Sequence, residues 1–189
     1  MLENLLMSSE PRENALHRFF TGLSEQTFQT RLGVVDPPLV DYISRLLTRF
    51  VHTSMIYRIR DLTGRRLVEI AEMLGEAEAR VGVARREAHR QVGDFILFWS
   101  GVYPEALAQL QGPSRKDHLL DYNAQGKRAY YVASTIPGDT TAGDGEQVDD
   151  GVLRRLSHEF ELCQYGLREV RREWERRDDD GGFRPLLIG

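Results

Sequence analysis

Four of the five histidines in this chain follow an arginine by three residues: Arg49 and His52, Arg86 and His89, Arg115 and His118, Arg155 and His158. On a helix that spacing sets guanidinium and imidazole side by side. The chemistry such a pair offers is anion binding, with arginine giving a planar fork of donors and histidine a donor tuned near neutral pH. A chain with 23 arginines and two lysines also produces such pairs by composition alone. Both readings stand at this point.

The same spacing bears on metals. A carboxylate-bridged di-metal centre in a helical bundle draws on Glu-x-x-His from two helices. The residues three before the five histidines are Asn14, Arg49, Arg86, Arg115 and Arg155, none of them acidic. A cation there repels a metal ion, and Glu69 with Glu72 reads as a solvated helix face. No metal and no cofactor is expected. There is no Gly-x-Ser-x-Gly elbow, no phosphate-cradling glycine loop, and no strand pattern to carry one. Cys163, the only cysteine, lies in "EFELCQYGL", where an apolar face predicts an inert core thiol and excludes an intrachain disulfide. Arg12 and His17 match in spacing the Arg-x(4–6)-His motif of HEPN-type helical nucleases. Such matches arise by chance in so arginine-rich a chain; no family resemblance is claimed, and a nuclease of that kind is kept only as a third option.

Two segments concentrate the remaining polar groups. In "HRQVGDFILFWSGVYP", Asp94 stands at the edge of the five-residue apolar run Phe95–Trp99. A carboxylate there must be paired or exposed, because burying it alone is prohibitive. Arg90, one turn earlier, is one available partner. In "KDHLLDYNAQGKRAYY", a helix predicted over 115–136 carries Leu119, Tyr122, Gly126, Tyr130 and Ala133 on one face. Gly126 leaves room for a close neighbour, and both tyrosines need partners for their hydroxyls once buried. The candidate ligand-pocket residues are therefore Asp94, His89, His118, Asp121 and Tyr122, against the alternative that these groups are structural.

The elements that must position them are helices nearly throughout. Asp36-Pro37-Pro38 is a helix start, and Leu39, Val40, Ile43, Leu46, Leu47, Phe50 and Val51 recur at helical steps toward His52. Helices are also predicted over 10–21 and from Ser24 to near Gly33, and another after Thr63-Gly64 through Leu67, Ile70, Ala71 and Leu74. A central helix over about 83–102 is apolar on all sides and so buried on all sides; Pro104 restarts the chain beyond it. The last helix is predicted over 148–177. The fold expected is all-α, a single multi-helix bundle of about six to eight helices over residues 1–177, with a flexible loop at 137–147. Residues 178–189 read as an acidic, glycine-broken linker and an apolar tail, in which Phe183, Leu186, Leu187 and Ile188 are candidate interaction residues.

Composition narrows the function classes. A net charge of −4, with acidic residues interleaved in each arginine cluster, argues against a bulk nucleic-acid binder. No apolar run approaches the 18 or so residues of a membrane span. Glu3 stands where a signal peptide needs cations, so a cytoplasmic protein is expected. The function expected is regulation or protein–protein interaction, with a partner protein or a second copy of the chain. The alternative is a small-molecule-binding or enzymatic bundle with a polar pocket between helices.

Overall fold

The computed structural model describes residues 10–51, 69–108, 115–138 and 148–179. Every regular element among them is helical: α1 (Glu10–Glu25), a π-helix (Gln26–Arg31), α2 (Pro37–Val51), α3 (Ile70–Ala79), α4 (Gly82–Val102), α5 (Pro104–Ala108), α6 (Tyr122–Thr135), α7 (Asp150–His158) and α8 (Phe160–Asp179). The protein is an all-α, multi-helix bundle. None of these helices is long and apolar enough to cross a membrane. By internal packing the chain divides into two compact units, one of residues 1–55 with 166–189, the other of residues 56–165.

The first unit joins the two ends of the chain. Asp36 starts α2 by accepting the Leu39 N–H at 3.2 Å, and the predicted stripe from Leu39 to Phe50 is buried. The short second helix expected after Ser24 is instead a direct widening of α1 into a π-helix, a form rare outside functional or strained positions. Its Phe28 is fully buried and rests on α8 at Gly166, where a Cβ would stand only 2.1 Å from the phenyl ring. Phe20 of α1 meets Trp174 of α8 edge to face at 5.3 Å.

The second unit is built on α4, whose Phe95, Ile96, Leu97 and Phe98 are all buried although they point in successive directions. Helices α3, α5 and α6 pack against it. Beyond α4, Pro104 opens α5. Helix α6 approaches the start of α8 closely because of Gly126: a Cβ there would lie 2.4 Å from Cζ of Phe160. The room that Gly126 was expected to leave is thus filled by one phenyl ring.

Two helix boundaries differ from the sequence reading. The segment expected to begin a helix at Arg115 makes turns through residue 119, and α6 begins at Tyr122, capped by Asp121 accepting the Ala124 N–H at 3.1 Å. These turns hold the Asp117 carboxylate at the start of α3, where it accepts two backbone N–H groups. The final helix is interrupted at Glu159 (φ −98°, ψ 26°). Hydrogen bonds from Glu159 N to Arg155 O (2.7 Å) and from Cys163 N to Glu159 O (2.8 Å) continue on either side. The interruption is a one-residue hitch immediately before Phe160. The tail residues Phe183, Leu186, Leu187 and Ile188, and most of the 137–147 loop, lie outside the described residues.

Candidate functional site

Asp94 of α4 is buried, 3% exposed. Its Oδ1 accepts the Tyr130 hydroxyl at 2.8 Å, and its Oδ2 lies 3.5 Å from Nη1 of Arg90. The Tyr130 ring lies against Gly93, which brings its hydroxyl to the next residue along. Arg90, also buried, gives its Nε and Nη2 to the two oxygens of Glu87 at 2.8 and 2.7 Å, and Gln91 donates to the same carboxylate at 2.8 Å. The result is a chain of groups, Gln91, Glu87, Arg90, Asp94 and Tyr130, in which each charge has an opposite charge or a donor beside it. Arg90 is the partner the sequence offered; Tyr130 is the one it did not.

The second buried carboxylate, Asp117, is fully enclosed. Its Oδ2 accepts the Ile70 N–H at 2.9 Å and its Oδ1 accepts the Ala71 N–H at 2.8 Å. Tyr122 donates its hydroxyl to Oδ2 at 3.1 Å. Asp117 therefore caps α3 from 46 to 47 residues away in sequence, satisfying N–H groups that a helix start leaves without partners. Burial, reinforced by the Asp117 charge, pushes the Tyr122 phenol well above its ordinary range.

The five pocket candidates do not form one cluster. Asp94 and His89 are buried on α4, Tyr122 is committed to Asp117, Asp121 is an exposed helix cap, and His118 is exposed. Within two of the arginine–histidine spacings the arginine turns elsewhere. Arg86 donates from Nη1 to the carbonyls of Ala133 (2.8 Å) and Ile136 (2.6 Å), and from Nη2 to that of Val148 (2.6 Å). Arg115 lies 3.7 Å from Glu69. His17 of α1 stands 3.4 Å from the Thr48 hydroxyl, and the Arg12 side chain lies outside the described residues. Cys163 is buried in α8.

His89 is the exception. It is 1% exposed, and neither ring nitrogen has a hydrogen-bond partner. The nearest counter-charge is Glu78 of α3, whose Oε1 lies 3.8 Å from Nε2, beyond hydrogen-bond reach. Burial lowers the imidazole pKa; Glu78 opposes that shift, while Arg85 and Arg128 add to it.

One charged cluster lay outside the sequence reading. Glu173 of α8, 3% exposed, accepts from Arg31 (2.9 Å), Arg176 (2.7 Å) and Arg177 (3.1 Å). The Arg176 hydrogen bond leads in holding its carboxyl at a pKa of about 2, against the opposing effect of burial, with Arg177 and Arg31 contributing. Arg176 and Arg177 follow from helical spacing, but Arg31 is 142 residues away and no local pattern marks it. Among the described residues, no group of three or more His, Cys, Asp or Glu side chains is placed to hold a metal ion. No family model matches the chain, and neither does any curated protein or solved structure.

Proposed function

We propose that the protein acts by binding another protein, as a regulatory or scaffolding module, with a second copy of the chain among its partners. The observation that supports this reading is how its buried carboxylates are used. Asp94 holds Tyr130 and Arg90, Asp117 holds a helix start and Tyr122, and Glu173 holds three arginines. A catalytic carboxylate needs an oxygen directed at the reacting molecule; these direct theirs at the chain's own helices. What the surface offers instead includes apolar side chains, with Leu119 91% and Val81 81% exposed and Tyr131 half exposed. Such groups suit the core of a protein contact, where aromatic and aliphatic side chains are desolvated together.

The test is sedimentation velocity of the full chain over a wide concentration range, beside a chain lacking residues 183–189. Concentration-dependent association that the deletion abolishes supports the reading. Native mass spectrometry addresses the enzyme or small-molecule alternative. A stoichiometric low-mass ligand that co-purifies, and is lost from a folded Asp94→Asn variant, overturns the protein-binding reading.

A further inference from the structure

His89 is the one pocket candidate whose environment points outward to a ligand. Its two ring nitrogens and the Nε of Arg85 are buried polar atoms without hydrogen-bond partners, and all three belong to residues gathered around one carboxylate. Glu78 Oε2 accepts from Nη2 of Arg85. Its Oε1 lies 3.4 Å from Nη2 of Arg128 and 3.8 Å from Nε2 of His89. The donors come from separate helices, Arg85 and His89 from α4 and Arg128 from α6, with Glu78 on α3. Both arginines are partly solvent-facing, as is Glu78 with a side chain 40% exposed.

We propose that Arg85, His89 and Arg128 form a binding site for a phosphate group, in which the Glu78 carboxylate now stands in the phosphate's place. The geometry of the donors carries this choice of anion. A carboxylate has two oxygens in one plane; here one serves Arg85, and the other takes a long 3.4 Å hydrogen bond from Arg128 and stands 3.8 Å from His89, beyond its reach. A phosphate group presents oxygens in three dimensions, so each guanidinium and the imidazole can take one of its own. Two arginines supply the forked, charge-assisted contacts that phosphate recognition uses. A buried imidazole that lacks a partner is satisfied once an oxygen reaches its N–H. Glu78, near the end of α3 and partly exposed, can rotate into water to yield the position. The charge balance then favours exchange, because the two guanidiniums stay cationic and the imidazole supplies an N–H donor while the competing carboxylate leaves the cluster. The proposal stands on these side chains alone and does not depend on the protein-binding reading above.

The experiment uses the full chain and its Glu78→Gln variant, which keeps size and helix propensity while removing the internal anion. Inorganic phosphate is titrated in, followed by calorimetry and by the His89 ring signals in NMR. A phosphoserine peptide and its unphosphorylated form serve as a second arm. Glu78→Gln should bind inorganic phosphate at least about tenfold more tightly than the unaltered chain, since a like charge a few ångströms away is removed. The His89 ring signals should shift with it. Adding Arg128→Gln, at an exposed position, should return the affinity to the unaltered level. Binding of inorganic phosphate identifies a free phosphate compound as ligand; binding of the phosphopeptide alone identifies a phosphorylated protein segment. Failure of Glu78→Gln to bind either phosphate form, or binding that Arg128→Gln does not weaken, overturns the proposal.

Discussion

Asp94 shows how one side chain can look like a reactive group in sequence and behave as a joint in structure. Its two oxygens connect α4 to α6 through Tyr130 and restrain Arg90 on its own helix. Asp94→Asn keeps the shape and an acceptor for Tyr130 but removes the charge that faces the buried Arg90. The expected loss is about 2 kcal/mol, in the range for hydrogen bonds to charged groups, read from urea denaturation at neutral pH. His89 makes the opposite case, a buried group with little to hold it. Its folded-state pKa is lowered, so the unfolded chain binds the proton more readily. Stability is then complete above the ordinary histidine value of about 6.5 and falls as the pH drops below it toward the folded pKa. His89→Leu should flatten that acid slope between pH 7 and 5, and cost little or nothing at pH 7, because no hydrogen bond is removed. The measurement is the urea midpoint across that pH range, and an unchanged slope would show that burial of the imidazole carries no pH dependence.

At the scale of elements, the bundle depends on glycines where rings arrive. Gly126→Ala gains about 1 kcal/mol of intrinsic helix propensity, yet its methyl would enter the Phe160 ring. Overpacking of that kind costs roughly 1–3 kcal/mol, so the net change should be destabilising. Phe160→Leu should be less harmful in the Gly126→Ala background than alone, a coupling that a double-mutant cycle measures. This close approach was legible in the sequence, because glycine inside an amphipathic helix has few other uses. The α2 stripe and the apolar girdle of α4 were legible for a similar reason: periodicity records burial directly. Asp117 was not legible. Its partners are backbone N–H groups at Ile70 and Ala71, and a carboxylate that caps a distant helix carries no spacing signal. Reading 115–136 as one helix followed from the same blindness, since the pull of α3 on Asp117 outweighs local helix preference. The Glu78 cluster was half legible. The arginine–histidine pattern raised anion binding, but pointed to Arg86, whereas the guanidiniums beside His89 are Arg85 and Arg128.

At the scale of the whole molecule, the two units are assembled from the chain in different ways. One is a continuous stretch, residues 56–165, while the other needs residues 1–55 together with 166–189. Phe28, Phe20 and Arg31 find Gly166, Trp174 and Glu173 only after almost the entire chain is present, so closure of that unit carries the larger loop entropy. Ending the chain at Tyr165 should therefore remove amide-exchange protection from α1 and α2, with α4 and α6 retaining more of theirs, as hydrogen exchange followed by mass spectrometry would report. Equal loss in both would show that the units do not fold separately.

Arg86 gives the second unit a different kind of independence. A single guanidinium holds the carbonyl of Ile136, at the end of α6, and that of Val148, just before α7. The clasp joins the two ends of the segment between them. A chain in which residues 139–147 are replaced by a linker of another length should therefore keep the helices on either side in register. One arginine thus fixes how far apart the two ends of that segment stand.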